Sequence, residues 1–83
     1  MRNYIAVDRL NPNAINRRYN RVPKGFEVAA EFSAATDEEA LQEFFLLCEE
    51  GVVGYSESNQ QRVDARLYRS KDWYKGRLDK PIV

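Results

Sequence analysis

The side chains able to do chemistry here fall into three groups: carboxylates over residues 27–50, arginines and lysines on either side of them, and one thiol, Cys48. Asp37, Glu38 and Glu39 are consecutive, and Glu39 and Glu43 are spaced i, i+4, so a helix would place that last pair on one face. Paired carboxylates suit general acid–base work or a hard cation, but two alone do not specify a metal site. The sequence has no histidine, which removes the usual general base near neutral pH and the commonest transition-metal ligand. Cys48 lies among apolar residues, where a thiol packs rather than reacts. Four glycines stand singly, with no phosphate-cradling loop. The residues therefore point to a non-catalytic protein without cofactor or metal.

Binding chemistry is better represented. Arg17-Arg18-Tyr19-Asn20-Arg21-Val22-Pro23-Lys24 interleaves cations with an aromatic ring. Guanidinium groups pair with phosphates and a tyrosine between them stacks on a base, which is a nucleic-acid hint. A second basic set comprises Arg62, Arg66, Arg69, Lys71, Lys75, Arg77 and Lys80. Net charge is zero, 13 basic residues against 13 acidic, but the signs are segregated. Residues 1–25 carry six bases and one acid, residues 26–50 eight acids and no base, and residues 51–83 seven bases and four acids. The balance argues against a general polyanion binder, while the segregation leaves two readings open: opposite charged faces, or neutralisation inside the fold.

The elements that must position these residues follow from periodicity. Residues 3–9 alternate as a strand, with Ile5 and Val7 against Tyr4, Ala6 and Asp8. Residues 11–25, rich in Asn and closed by Pro23 and Gly25, read as a long basic loop, of a length that is often functional or mobile. Residues 26–32 form the clearest strand, with Phe26, Val28, Ala30 and Phe32 on one face. A helix follows over 37–50. Thr36 and Glu39 make a Thr-x-x-Glu capping box, Asp37 and Glu38 complement the helix dipole, and Gly51 supplies the stop. Its core stripe is Ala40, Leu41, Phe44, Phe45, Leu47 and Cys48, an arc of roughly 160°. Val52 to Ser56 read as a third strand and Arg62 to Arg69 as a fourth. In the fourth, Val63, Ala65 and Leu67 face the core, and Arg62, Asp64, Arg66 and Tyr68 face out. Residues 70–83 read as a charged tail.

The expected fold is one α+β domain over 1–83, ordered β-β-α-β-β, with one helix on a mostly antiparallel sheet of three to four strands. The sheet's other face would then be solvated or would meet a partner. With 12% aromatic residues offsetting a modest 43% apolar content, a small core is feasible. A single cysteine rules out an internal disulfide, and there is no apolar run near the roughly 18 residues of a membrane span, no signal-peptide pattern and no lipidation motif. A cytoplasmic protein that binds no membrane is the reading that follows.

Two features favour another protein as partner. Leu46 lies on the helical wheel among Glu39, Gln42, Glu43, Glu49 and Glu50, opposite the core stripe. A large apolar side chain inside a polar rim has the anatomy of a binding anchor; against this stands the ordinary exposed leucine. The outward row Arg62, Arg66 and Tyr68, near Trp73 and Tyr74, holds residue types that dominate interface energetics, unless Trp73 folds back as core. The reading is a protein-binding module of adaptor or inhibitor type using Glu39, Gln42, Glu43, Leu46 and Glu50. The alternative is a nucleic-acid-binding module using Arg17, Arg18, Tyr19, Arg21, Lys24, Arg62, Arg66 and Tyr68. In length, charge segregation and strand–helix alternation, though in no motif, the chain is similar to small stand-alone accessory proteins of phages and mobile elements. Some of these inhibit host enzymes or defence systems by occupying a surface.

If the capping box fixes the helix start, Thr36→Ala destabilises the domain by about 0.5–2 kcal/mol. A denaturant melt unchanged by that substitution would place the helix start elsewhere.

Overall fold

The computed structural model describes residues 1–9, 25–56 and 61–83. The basic run at 17–24 lies outside the described residues. Strand β1 (Arg2–Arg9) forms the centre of a three-stranded antiparallel sheet, flanked by β2 (Phe26–Ala34) and β5 (Asp64–Arg69) in the order β2-β1-β5. Between the flanking strands run helix α1 (Asp37–Glu49) and a two-residue ladder of β3 (Tyr55–Ser56) with β4 (Gln61–Arg62). A five-residue helix, α2 (Ser70–Tyr74), follows β5 directly. The α+β class and the antiparallel sheet match the sequence reading. Element order departs from it through α2 and through the shortening of the strand expected at 52–56 to residues 55–56.

Being central, β1 is buried on both faces: Tyr4, Ile5, Ala6, Val7 and Asp8 are each at most 3% exposed. Its odd and even side chains therefore seed two different clusters. Tyr4 and Ala6 join Ala34, Ala40, Phe44, Val53 and Leu67 beneath α1. Ile5 and Val7 join Tyr68 and Trp73 on the opposite face, with Phe26, Val28 and Leu78 packed around them. The protein is thus a three-layer arrangement, with α1 on one side of the sheet and α2 with Leu78 on the other. This corrects the expectation of an open second face. Trp73 meets Tyr68 at 5.4 Å and Phe26 at 5.8 Å between ring centroids, the latter edge-on.

A bulge explains a second correction. Ala6 pairs with Ala30 but Val7 pairs with Val28, so Ala29 is the extra residue of β2. One inserted residue inverts the alternation from that point onward. Ala30 and Phe32 accordingly pack under α1, while Phe26 and Val28 pack against the Trp73 cluster, not on one face together.

Local chemistry bounds α1 as expected, and the same chemistry ends the unexpected α2. Thr36 Oγ1 accepts from the Glu39 backbone N–H at 3.2 Å. Glu39 Oε2 reaches back past Thr36 and accepts from Ala35 N–H at 3.3 Å, so the capping box is displaced by one residue on that side. At the far end Gly51 takes φ +77°, and the N–H groups of Gly51 and Val52 donate to the carbonyls of Cys48 and Leu47. Gly76, at φ +72°, closes α2 by the same paired bonds, to Trp73 and Asp72. The chain then runs back along β5, where Leu67 N–H donates to Val83 O and Ile82 N–H donates to Leu67 O.

Trp73 and Tyr74 are neighbours in α2 with opposite fates, 5% and 72% exposed. Trp73→Ala should cost about 3–5 kcal/mol in a urea melt, as expected when a large core aromatic is removed, whereas Tyr74→Ala should stay within about 0.5 kcal/mol of the parent. Equal effects of the two would mean that α2 does not form the second layer.

Candidate partner-binding surface and an adjoining basic cleft

Helix α1 carries Asp37, Glu38, Glu39, Glu43 and Glu49, with Glu50 as its C-terminal cap and no basic residue. Only Ala40 and Phe44 are fully buried, with Leu41, Leu47 and Cys48 half-buried against the same cluster. Burial pushes the Cys48 thiol above its ordinary pKa, which keeps it protonated. Glu39, Gln42, Glu43, Leu46 and Glu50 are all exposed, as the wheel predicted. Leu46 is 50% exposed and Phe45, assigned to the core stripe from sequence, is 51% exposed. The correction has a geometric cause. Phe45 sits at the margin of the roughly 160° arc, and the stripe facing the sheet is narrower than that. Its ring lies 5.9 Å from that of Phe44, so Phe45 rests on the core without entering it. Helical spacing places Gln42 and Glu49 beside both exposed apolar residues. The surface is therefore an apolar pair inside an acidic rim.

In the second predicted surface Tyr68 does not face out. Tyr68 is 2% exposed and its hydroxyl donates to Leu78 O at 2.8 Å. It faces the Trp73 layer, because the even positions of β5 lie opposite Ile5 and Val7. Arg66 is half-buried and donates from Nη1 to Ala65 O at 2.8 Å. Arg62 belongs to the short β4 strand, paired with Tyr55. Arg17, Arg18, Tyr19, Arg21 and Lys24 lie outside the described residues.

A basic site that the sequence reading missed appears at the other end of β1. Arg2, Asn3, Arg69, Ser70 and Lys71 line a cleft of about 330 Å³. Arg2 opens β1 and Arg69 closes β5; antiparallel pairing brings these distant positions together, with Tyr4 opposite Arg69. Beneath them Asp37, the first residue of α1, accepts from Tyr4 Oη at 2.7 Å, from Arg69 Nε at 3.3 Å and Nη2, and from Arg2 Nη1 at 3.4 Å. The Arg69 guanidinium first and the Tyr4 hydroxyl second hold the Asp37 carboxyl well below the usual carboxylate range. Burial first and the hydrogen bond to Asp37 second raise the pKa of the Tyr4 hydroxyl. A second cleft of about 330 Å³ adjoins the first, lined by Asn3, Tyr4, Glu31, Phe32, Ser33, Ser70 and Tyr74, so that Asn3 and Ser70 belong to both.

Because the folded pKa of Asp37 is depressed, its contribution is complete above the unfolded value, about 3.9, and is lost as pH falls through the lower folded value. Asp37→Asn should therefore destabilise the protein at pH 7, and the gap between variant and parent should persist to about pH 4 and close below it. A gap independent of pH between 2 and 7, on the order of that window, would show that the charge of Asp37 does not hold the network.

Among the described residues no helix is long and apolar enough to cross a membrane. No family model matches the chain, no curated protein matches it, and no solved structure matches it.

Proposed function

We propose that the protein is a non-catalytic protein-binding module, of adaptor or inhibitor type, that acts by seating the exposed face of α1 on a partner. The observation that carries this reading is the pair Phe45 and Leu46, each about half exposed within a helix whose other apolar residues already pack on the sheet. Full burial of one such side chain contributes roughly 1.5–3 kcal/mol. Glu39, Glu43, Glu49 and Glu50 surround the pair with negative charge, which selects a partner offering an apolar pocket bordered by arginine or lysine. Such carboxylates accelerate encounter and set register more than they add affinity.

Leu46→Asp should move stability by under about 0.5 kcal/mol, as a surface change does. It should weaken binding of a partner recovered by affinity capture on the parent protein at least about tenfold, equivalent to about 1.4 kcal/mol. Phe45→Ser should weaken it similarly, and the parent's association rate should fall as salt rises. Binding equal to the parent in both variants, each shown to be folded by its melt, would overturn the assignment of this face.

A further inference from the structure

The two clefts at the start of β1 differ in chemistry and meet at Asn3 and Ser70. Among the described residues, the first is lined by three cationic side chains and two neutral polar ones, with no carboxylate in its wall. Asp37 holds Arg2 and Arg69 from below and Asp72 stands 3.9 Å from Arg69 Nη1, yet these contacts do not use all five N–H groups of either guanidinium. Lys71 is exposed and takes part in no ion pair among the described residues. These groups are suited to a phosphate, which takes charge-assisted bonds from arginine and a point charge from lysine.

The adjoining cleft is suited to a flat ring. Tyr74 is 72% exposed, yet its hydroxyl donates to Glu31 Oε1 at 3.1 Å, so the ring is tethered at its outer end and presents a face to solvent. Tyr4 and Phe32 border this cleft, but their stacked rings pack on the α1 side of the sheet, so Tyr74 supplies its exposed ring. Glu31 stands on the ring side of the pair of clefts, away from the cationic wall, where it is an acceptor for an exocyclic amine. Each volume falls at the lower end of the range for small-molecule sites, about 300–1,000 Å³.

We propose that the paired clefts bind a nucleotide carrying a terminal phosphate, with the phosphate against Arg2, Arg69 and Lys71 and the base stacked on Tyr74. The site is separate from the α1 face and does not depend on it. The phosphate and the ring would bridge Asn3 and Ser70, whose amide and hydroxyl supply neutral donors at the junction.

The test is a titration of the isotopically labelled full chain, followed by amide chemical shifts, with adenosine monophosphate, inorganic phosphate and adenosine as separate probes. The nucleotide should give saturable shifts at Asn3, Ser70, Lys71 and Tyr74, and bind more tightly than phosphate or adenosine alone. Lys71→Gln should weaken both nucleotide and phosphate. Tyr74→Leu should weaken the nucleotide about tenfold, the loss expected for a removed base–aromatic stack, and leave phosphate unchanged. Both positions are exposed, and the remaining amide spectrum of each variant reports whether the fold is intact; Lys71→Ala and Tyr74→Ser replace any variant that is not. A 5′-phosphorylated oligonucleotide binding more tightly than the mononucleotide identifies the end of a strand as the source, and equal affinity identifies a free nucleotide. No saturable shift at millimolar nucleotide, shifts confined to other residues, or equal affinities in parent and folded variants would each overturn the proposal.

Discussion

Asp37 is where the layers of this protein are tied together. It opens α1, and its carboxylate gathers Tyr4 and Arg2 from β1 and Arg69 from β5. A helix that fully buries only Ala40 and Phe44 has a small apolar contact with its sheet, so its orientation depends on what fixes its ends. Asp37 fixes the first end. At the other, the glycine stop returns the chain so that Val53 enters the core and Gly54 N–H donates to Asp8 Oδ1 at 2.6 Å. Asp8 is 3% exposed, and burial raises its pKa against the lowering effect of that bond. Two carboxylates thus tie the ends of α1 to the central strand by opposite means: Asp37 reaches it from the helix, ionised among cations, and Asp8 reaches from it to Gly54, desolvated against a backbone donor.

The same arrangement gives the charge segregation a physical meaning. Part of the basic excess turns inward: Arg2 and Arg69 pair with Asp37, and Arg69 and Arg77 approach the buried Asp72 at 3.9 Å. Neutralisation inside the fold is therefore real but local, and it draws on the first turn of α1. The acids farther along the helix point away from these cations and stay exposed. An acidic surface and a basic cleft consequently coexist at separate places on a chain of zero net charge.

Burial of both sheet faces shapes where binding can occur. With α2 and Leu78 covering one face and α1 the other, the protein's own core takes up much of both sheet surfaces. Among the described residues, the outer side of α1 and the seam where β1, β2 and α2 begin or end stay open to solvent. Trp73 and Tyr68, which by residue type resemble interface anchors, instead form the second half of the core. An 83-residue domain gains stability by enclosing such large aromatics, since each removes a large area from water.

What the sequence determined by itself was local. The helix boundaries follow from Thr36, Glu39 and Gly51, whose capping bonds close within a few residues, and the exposure of Leu46 and its acidic neighbours follows from helical period alone. The alternation of β1 and β5 likewise marked strands, though not that β1 is central, because a strand buried on both faces and one buried on a single face can share the same short pattern. Tertiary structure decided the rest. The extra residue Ala29 reverses the facing of β2, the return of α2 and Leu78 buries Tyr68, and the width of the contact between α1 and the sheet leaves Phe45 outside. The basic cleft belongs to the same class: Arg2 and Arg69 are 67 positions apart by subtraction of their numbers, and only the pairing of β1 with β5 and their shared hold on Asp37 bring them side by side. Contacts of that kind depend on which strands become neighbours, a choice made by the packing of the whole chain and not by any residue's own preference.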